Sequence, residues 1–306
     1  MSAAELAATI VLLRERGGSR AAVEALLLRR PRTLRTFGNL WVFPGGKTDA
    51  ADASREALAC VSERDRIDCA RILAAGGDSY AGYAAADALQ LWIAACRETF
   101  EETGVLFARG AGGGACDAAR VAALLGRRAE FKTAASEFFR ALQAAGLVLD
   151  LRSLVYWSRW ITPSAALRVF DTAFFVARLP TGAQVHADAA EASAIRWLDP
   201  AGFVARTDDE QFALAPPTAI TLLQIGRCCE VPDVCDAILR AGRSRTVAPI
   251  QPKLANVADV LWAVFPWDRE YEALPGEAAS PAAAVLDSDR QLPSRLPTRV
   301  EVRRQG

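Results

Sequence analysis

The sequence predicts an α/β chain on three observations. Two pairs of β-rich runs, 7–15 with 22–30 and 154–162 with 167–179, supply strands. A helix over 88–103 is bounded at both ends, and further helical stretches fill the intervals. At 306 residues and 52% hydrophobic content, the chain can bury a sizeable core, as one large domain or two.

Taken in order, residues 7–15 and 22–30 read as a hairpin around Gly17-Gly18. Arg29, Arg30, Arg32 and Arg35 follow in a loop ending at Phe37-Gly38-Asn39. Guanidinium groups hold phosphate bidentately, and they also solvate ordinary loops, so both roles stay open. Trp41 to Thr48 is a strand ending at Pro44 and then a glycine turn. Gly46-Lys47-Thr48 imitates the tail of a phosphate-binding P-loop, but that motif needs a glycine five positions earlier, where Trp41 stands. The P-loop reading fails there. Residues 53–86 are Ala-rich, with one helix expected from Ala57 to Leu73 and a short piece before Asp87. They form either a wall over a site or a surface decoration.

The helix over 88–103 has Asp87 and Gln90 in capping-box form and Gly104 where a left-handed stop is expected. At about 100° per residue, Leu89, Ile93, Cys96 and Phe100 share one stripe, and Glu98, Glu101 and Glu102 gather opposite it. Carboxylates this close repel one another and oppose the helix dipole near a C-terminus. A solvated acidic face tolerates that arrangement; a hard divalent cation would exploit it through oxygen ligands, and the second reading is favoured.

Beyond Gly104, Val105 to Ala108 reads as a short strand, Gly110 to Gly114 as a turn, and 117–127 and 130–145 as helices. Trp157, Trp160, Phe170, Phe174 and Phe175 on the second strand pair are core candidates. Ile195 to Leu198 is a strand running into a helix at Pro200. Pro216-Pro217 opens a helix to Cys228, and another follows at 232–242. From Pro249 onward prolines break the pattern, so an irregular tail is expected.

Bulk properties exclude several classes. Basic and acidic residues total 36 each, and no basic tract is evident, so no nucleic-acid partner is expected. Seven cysteines include no C-x-x-C pair; Cys228-Cys229 and Cys235 lack zinc-ribbon spacing, which leaves free thiols in a reducing compartment. His186 is the sole histidine, in a turn-like segment near Asp188, so a multi-histidine zinc site is ruled out. No window approaches 18 apolar residues, and Arg303-Arg304-Gln305-Gly306 is not a Ser-Lys-Leu address, so a soluble cytoplasmic protein with no membrane partner is expected.

Arg97-Glu98-Thr99-Phe100-Glu101-Glu102-Thr103-Gly104-Val105 resembles the Nudix box of Nudix hydrolases, whose pattern is Gly, five residues, Glu, seven residues, then Arg-Glu-apolar-x-Glu-Glu-x-Gly-apolar. Thr99 stands at an apolar position. The first half resembles Phe43 to Asp52, with Gly46 as the box glycine and Asp52 in place of Glu. The seven-residue spacer has become 53–96, an insertion of roughly three dozen residues that loop-closure entropy tolerates. Split boxes of this kind resemble the branch that includes the peroxisomal coenzyme A diphosphatase of animals. Leu26 to Arg30, Trp160-Ile161-Thr162-Pro163, Phe170 to Phe175 and Leu214 to Thr218 agree with it.

The resemblance implies an α/β/α sandwich around a mixed sheet, in a hydrolase domain over 1–226 with a helical insertion at 53–86. A C-terminal extension, helical then irregular, would occupy 227–306. It implies Mg²⁺ or Mn²⁺ held by Glu98, Glu101 and Glu102 with the Gly46 carbonyl, and Asp52 acting through water or from behind. Arg97 would orient a box glutamate, and Glu191, or else Asp188, would be a further ligand or general base. Arg29, Arg30 and Arg35 would take substrate phosphate. The implied partner is a small CoA-like nucleotide cut at its diphosphate; ADP-ribose, NADH and a non-catalytic nucleotide-binding module are alternatives, and a homodimer stays open.

Overall fold

The computed structural model describes residues 4–16, 22–33, 38–76, 81–166, 168–204, 214–227, 234–243, 247–257, 260–279 and 297–301. Gly17-Gly18, Arg35, Leu167 and Cys228-Cys229 lie outside them.

A mixed sheet organises the molecule. Strand β1 (Glu5–Arg16) pairs antiparallel with β2 (Ala22–Arg29), which continues to β3 (Trp41–Val42). The short β4 (Gly45–Lys47) also lies against β1, with Gly46 opposite Ala8. Farther along, β7 (Leu154–Ile161) and β8 (Phe170–Arg178) pair antiparallel, and β8 joins β1 in parallel. β9 (Ala194–Leu198) pairs with β2. In β1, Ala8, Ile10 and Leu12 enter one core while Val11 and Leu13 enter another, so the strand reads as an apolar run because both faces are covered.

The first face carries α3 (Ala85–Thr103); the second carries α8 (Pro216–Arg227) and α9 (Val234–Arg243), with Ile220, Leu222, Ile225, Cys235 and Ile238 buried there. α3 starts earlier than its pattern predicted. Ala84 precedes it without a side-chain cap, Asp87 falls inside the first turn, and Gln90 instead donates to the Asp49 carbonyl at 2.9 Å. Its C-terminal stop is as expected: Gly104 adopts φ 73° and returns its N–H to the Phe100 carbonyl.

After a 3₁₀ turn (Ala50–Ala53), the insertion forms α1 (Arg55–Ala59) and α2 (Glu63–Ala74), rather than a single helix from 57 to 73. Ser62 divides them by accepting the Asp65 N–H at 3.2 Å, a helix start in mid-pattern. Cys69, Leu73 and Tyr83 are buried, Trp92 Nε1 donates to the Cys69 carbonyl, and the Tyr83 hydroxyl donates to Asp171 at 2.8 Å. The insertion is thus part of the core on the first half of α3, not decoration; the glutamates stand on the second half.

After Gly104, Val105 to Phe107 is buried but not a strand; the strand is β5 (Ala108–Gly110), paired with β6 (Leu147–Leu149). α4 (Ala118–Gly126) matches its expectation, whereas 130–145 divides at Ala134 into α5 (Arg128–Thr133) and α6 (Ala135–Ala144). Phe131 and Phe138 fasten these to α3 through Phe100, at ring separations of 6.2 and 5.5 Å. α7 (Pro200–Val204) follows β9.

The described residues of the tail beyond 245 include regular strands. β10 (Pro249–Ile250) extends the main sheet beside β7, and β11 (Lys253–Val257), β12 (Val260–Val264) and β13 (Arg299–Glu301) form a three-stranded sheet. Proline misled the pattern here because Pro249 heads an edge strand, where a missing donor costs little. Ile250 and Phe265 are buried in the second core, so residues beyond 226 complete the main sheet. Among the described residues no helix is long and apolar enough to cross a membrane.

Candidate active site

The pairing of β4 with β1 brings the glycine turn under the last two turns of α3. Gly45 N–H donates to Glu102 Oε2 at 2.8 Å. A Cβ on Gly46 would stand 2.4 Å from Glu98 Oε2, and one on Gly45 would stand 2.3 Å from the Ala8 carbonyl oxygen. These collisions differ in kind. Gly46→Ala should displace a side-chain carboxylate and leave the fold standing, whereas Gly45→Ala should break the β1–β4 pairing. We expect thermal melts to show a small shift for the first variant and a large one for the second, with metal affinity falling in both.

Arg97 is the hub of the site and is 3% exposed. Its Nε and Nη2 take both oxygens of Asp52, at 2.7 and 2.9 Å. Nη1 reaches Glu98 at 2.8 Å and Glu101 at 3.2 Å, and Nη2 also donates to the Lys47 carbonyl at 3.1 Å. One guanidinium therefore gathers the helix glutamates, the glycine turn and the start of the insertion. Asp52, expected to reach a metal through water or to act from behind, stands behind Arg97. It is fully buried, closes the 3₁₀ turn by accepting the Asp49 N–H, and spends both oxygens on donors.

Nor do the glutamates form a solvated face. Glu101 and Glu102 are buried and Glu98 is half-buried. Burial pushes the Glu101 carboxyl up to about 7, with Arg97 opposing and Glu98 reinforcing. Burial, then the Glu98 charge, lifts Glu102 well above the ordinary range against the Gly45 N–H. Glu98 rises for the same first reason, restrained by Arg97. Arg97 itself is held charged: burial opposes it, and Asp52, Glu98 and Glu101 outweigh that.

Hard oxygen donors are what a divalent cation requires, and Glu101 Oε1 is buried with no hydrogen-bond partner. Among the described residues, no three acidic, imidazole or thiol groups already enclose an ion-sized space. The box glutamates instead lean on Arg97 and Gly45. The donor set, the orphaned oxygen and the glycine clearance fit a divalent cation.

A loop closes the end of α3. His186 N–H donates to the Thr103 carbonyl at 2.7 Å and Asp188 N–H to the Glu102 carbonyl at 2.9 Å, satisfying two free carbonyls of the helix terminus. His186 is exposed there. The loop brings Glu191 to the site, where its charge raises the proton affinity of Glu98 and Glu102. Glu191 and Asp188 share Lys132 of α5. From the other side, Arg30 lowers the proton affinity of Glu102. Arg29 ends β2: Ser193 N–H donates to its carbonyl at 2.8 Å, and its guanidinium lies 5.9 Å over Trp41 with Nε buried and unpaired. Lys132 and Arg128, which donates to the His186 carbonyl, went unmarked in the sequence because nothing there ties α5 to residues 186–191.

A model of the NUDT19 Nudix domain matches residues 3–225. The chain belongs to this family of Nudix hydrolases. It is 30% identical over 229 residues to the acyl-coenzyme A diphosphatase NUDT19 of Gallus gallus, covering 66% of this chain and 61% of that protein. Over 246 residues it is 25% identical to the putative nudix hydrolase 7 of Caenorhabditis elegans, covering 80% and 69%. The match thus spans about three fifths of the bird relative. A NUDIX hydrolase of Alicyclobacillus acidocaldarius, 24% identical, superposes with a TM-score of 0.58 over 77% of this chain and 97% of its own, and shares the mixed α/β fold.

Proposed function

We propose that the chain is a metal-dependent hydrolase cleaving the diphosphate bridge of a nucleoside diphosphate derivative, with coenzyme A or acyl-CoA as substrate. The observation that supports it most is the set of buried glutamates drawn by Arg97 against the Gly45-Gly46 turn, one of whose oxygens has no donor. Glu98, Glu101 and Glu102, with the Gly46 carbonyl, would hold Mg²⁺ or Mn²⁺. When bound, such an ion polarises a phosphoryl oxygen, acidifies water and offsets charge built up in displacement.

The chain's own residues divide the remaining work. Arg97 keeps Glu98 and Glu101 aimed, and Asp52 holds Arg97 in place, as partners behind a ligand do. Glu191 is the base that takes the proton of the attacking water, while Arg29, Arg30 and Arg35 receive phosphate oxygens. Water adds to one phosphorus as the bridging P–O bond breaks, giving 3′-phosphoadenosine 5′-phosphate and a 4′-phosphopantetheine portion from coenzyme A. The substrate class draws its support from the name of the bird relative.

The test is incubation with coenzyme A, an acyl-CoA, ADP-ribose and NADH, each with Mg²⁺ or Mn²⁺. Turnover of the first two supports the proposal, turnover of the last two alone moves the substrate class, and four inert substrates remove the hydrolase reading.

A pH dependence follows from Glu101, whose folded value of about 7 lies above the 4.5 of an ordinary glutamate. Raised carboxyls favour the folded state at low pH and lose that contribution as pH climbs through the folded value. The metal-free protein should therefore lose stability between about pH 4.5 and 7 through Glu101, and onward through Glu102. A cation that binds the ionised carboxylates stabilises more as pH rises. We expect the Mn²⁺-induced rise in Tm to be larger at pH 8 than at pH 5.5; equal rises would place the ion elsewhere.

A further inference from the structure

Resting on that reading, we infer that Lys132 is a positioning residue: its ammonium holds Glu191 beside Glu98 and Glu102 in the orientation from which it serves the reaction. Lys132 Nζ contacts Glu191 Oε1 at 2.8 Å and, more closely, Asp188 Oδ2. The lysine side chain is only 18% exposed while Glu191 is 43% exposed, so a sheltered ammonium grips a carboxylate that still meets water. Both ends of the contact are fixed. α5 is held on α3 by the Phe131–Phe100 ring contact, and the loop by the Asp188 N–H on the Glu102 carbonyl.

Glu191 is the one proposed site carboxylate that stands on a loop rather than on α3, so its aim depends on what grips it. A compact ammonium with three rotatable donors can serve two carboxylates at once without imposing the fixed plane of a guanidinium. The chain contains only three lysines, and Lys253, which donates to two backbone carbonyls, shows this same use of a point charge. Lys132 touches no reacting atom; it acts through Glu191.

The experiment uses the full chain with Mn²⁺ and coenzyme A. Lys132→Met keeps the stem and removes the charge. Partners behind a site residue typically contribute about 10- to 100-fold, and we expect kcat to fall by that factor with KM within about twofold. Lys132→Arg should recover part of the loss. In a Glu191→Gln background, Lys132→Met should add little, since both changes remove the same aimed carboxylate. Hydrogen exchange supplies a readout besides turnover: the Asp188 amide should exchange faster in Lys132→Met and recover in Lys132→Arg.

A Lys132→Met enzyme with wild-type kcat, a loss confined to KM, multiplicative effects with Glu191→Gln, or unchanged Asp188 exchange overturns the inference. If the wild-type chain hydrolyses no diphosphate, the function proposed above fails first and Lys132 has nothing to position; an active wild type with an equally active Lys132→Met removes this inference alone.

Discussion

Glu102→Gln should lose turnover by about 10³-fold, on the order of 4 kcal/mol of transition-state stabilisation, while the metal-free protein becomes no less stable. Glu102 is buried, close to the Glu98 charge, and accepts the Gly45 N–H. A glutamine carbonyl accepts that bond equally well, so the contact between helix and turn survives. What disappears is a negative charge that burial disfavours without a cation. The two readouts should therefore separate: kcat collapses, and the urea midpoint in EDTA stays level or rises at pH 8. A variant that melts early would make Glu102 a structural residue, and one that turns over normally would remove it from the metal site.

Much of this was legible in the sequence because it is local. Gly104 stops α3 where a left-handed residue belongs, and the 3.6-residue period placed Ile93, Cys96 and Phe100 in the core. The glycine turn and the glutamates could be matched to a family pattern although 44 residues, 53–96, separate their two halves.

What escaped was the non-local part. Arg97 appeared as an orienting residue for a glutamate, but its deepest partner is Asp52, a residue expected to reach a metal through water or from behind and 45 positions away. Lys132 meets Glu191 across 59 positions, and no periodicity reports such a pairing. Proline at 249 signalled irregularity because a sequence pattern cannot tell an edge strand from a coil. Helix breaks at Ser62 and Ala134 were hidden inside stretches whose composition favours helix throughout. A metal-holding face was favoured for the glutamates, but their burial was not legible, because β4 and the 186–191 loop that meet this end of the helix are not encoded in it.

The Arg97–Asp52 pair carries the second large effect. Asp52→Ala leaves a charged guanidinium buried beside Glu98 and Glu101 with its principal counter-charge gone, and breaking a buried pair in this way costs about 3–5 kcal/mol. Asp52→Asn keeps a carbonyl acceptor and the volume, so it should cost less than Asp52→Ala. Asp52→Glu is the informative change, since glutamate is the residue the family pattern carries there. At a position with no exposure, the added methylene has to displace Arg97 or the 3₁₀ turn that Asp52 closes, a strain of about 1–3 kcal/mol. The shorter side chain is then an adjustment to the long insertion that begins at this turn, not a weakened ligand. Urea denaturation should order the variants Asp52→Ala as least stable, with Asp52→Asn and Asp52→Glu above it and the wild type highest. If Asp52→Glu is instead more stable and binds Mn²⁺ more tightly, Asp52 belongs with the ligands and Arg97 is anchored by Glu98 and Glu101 alone.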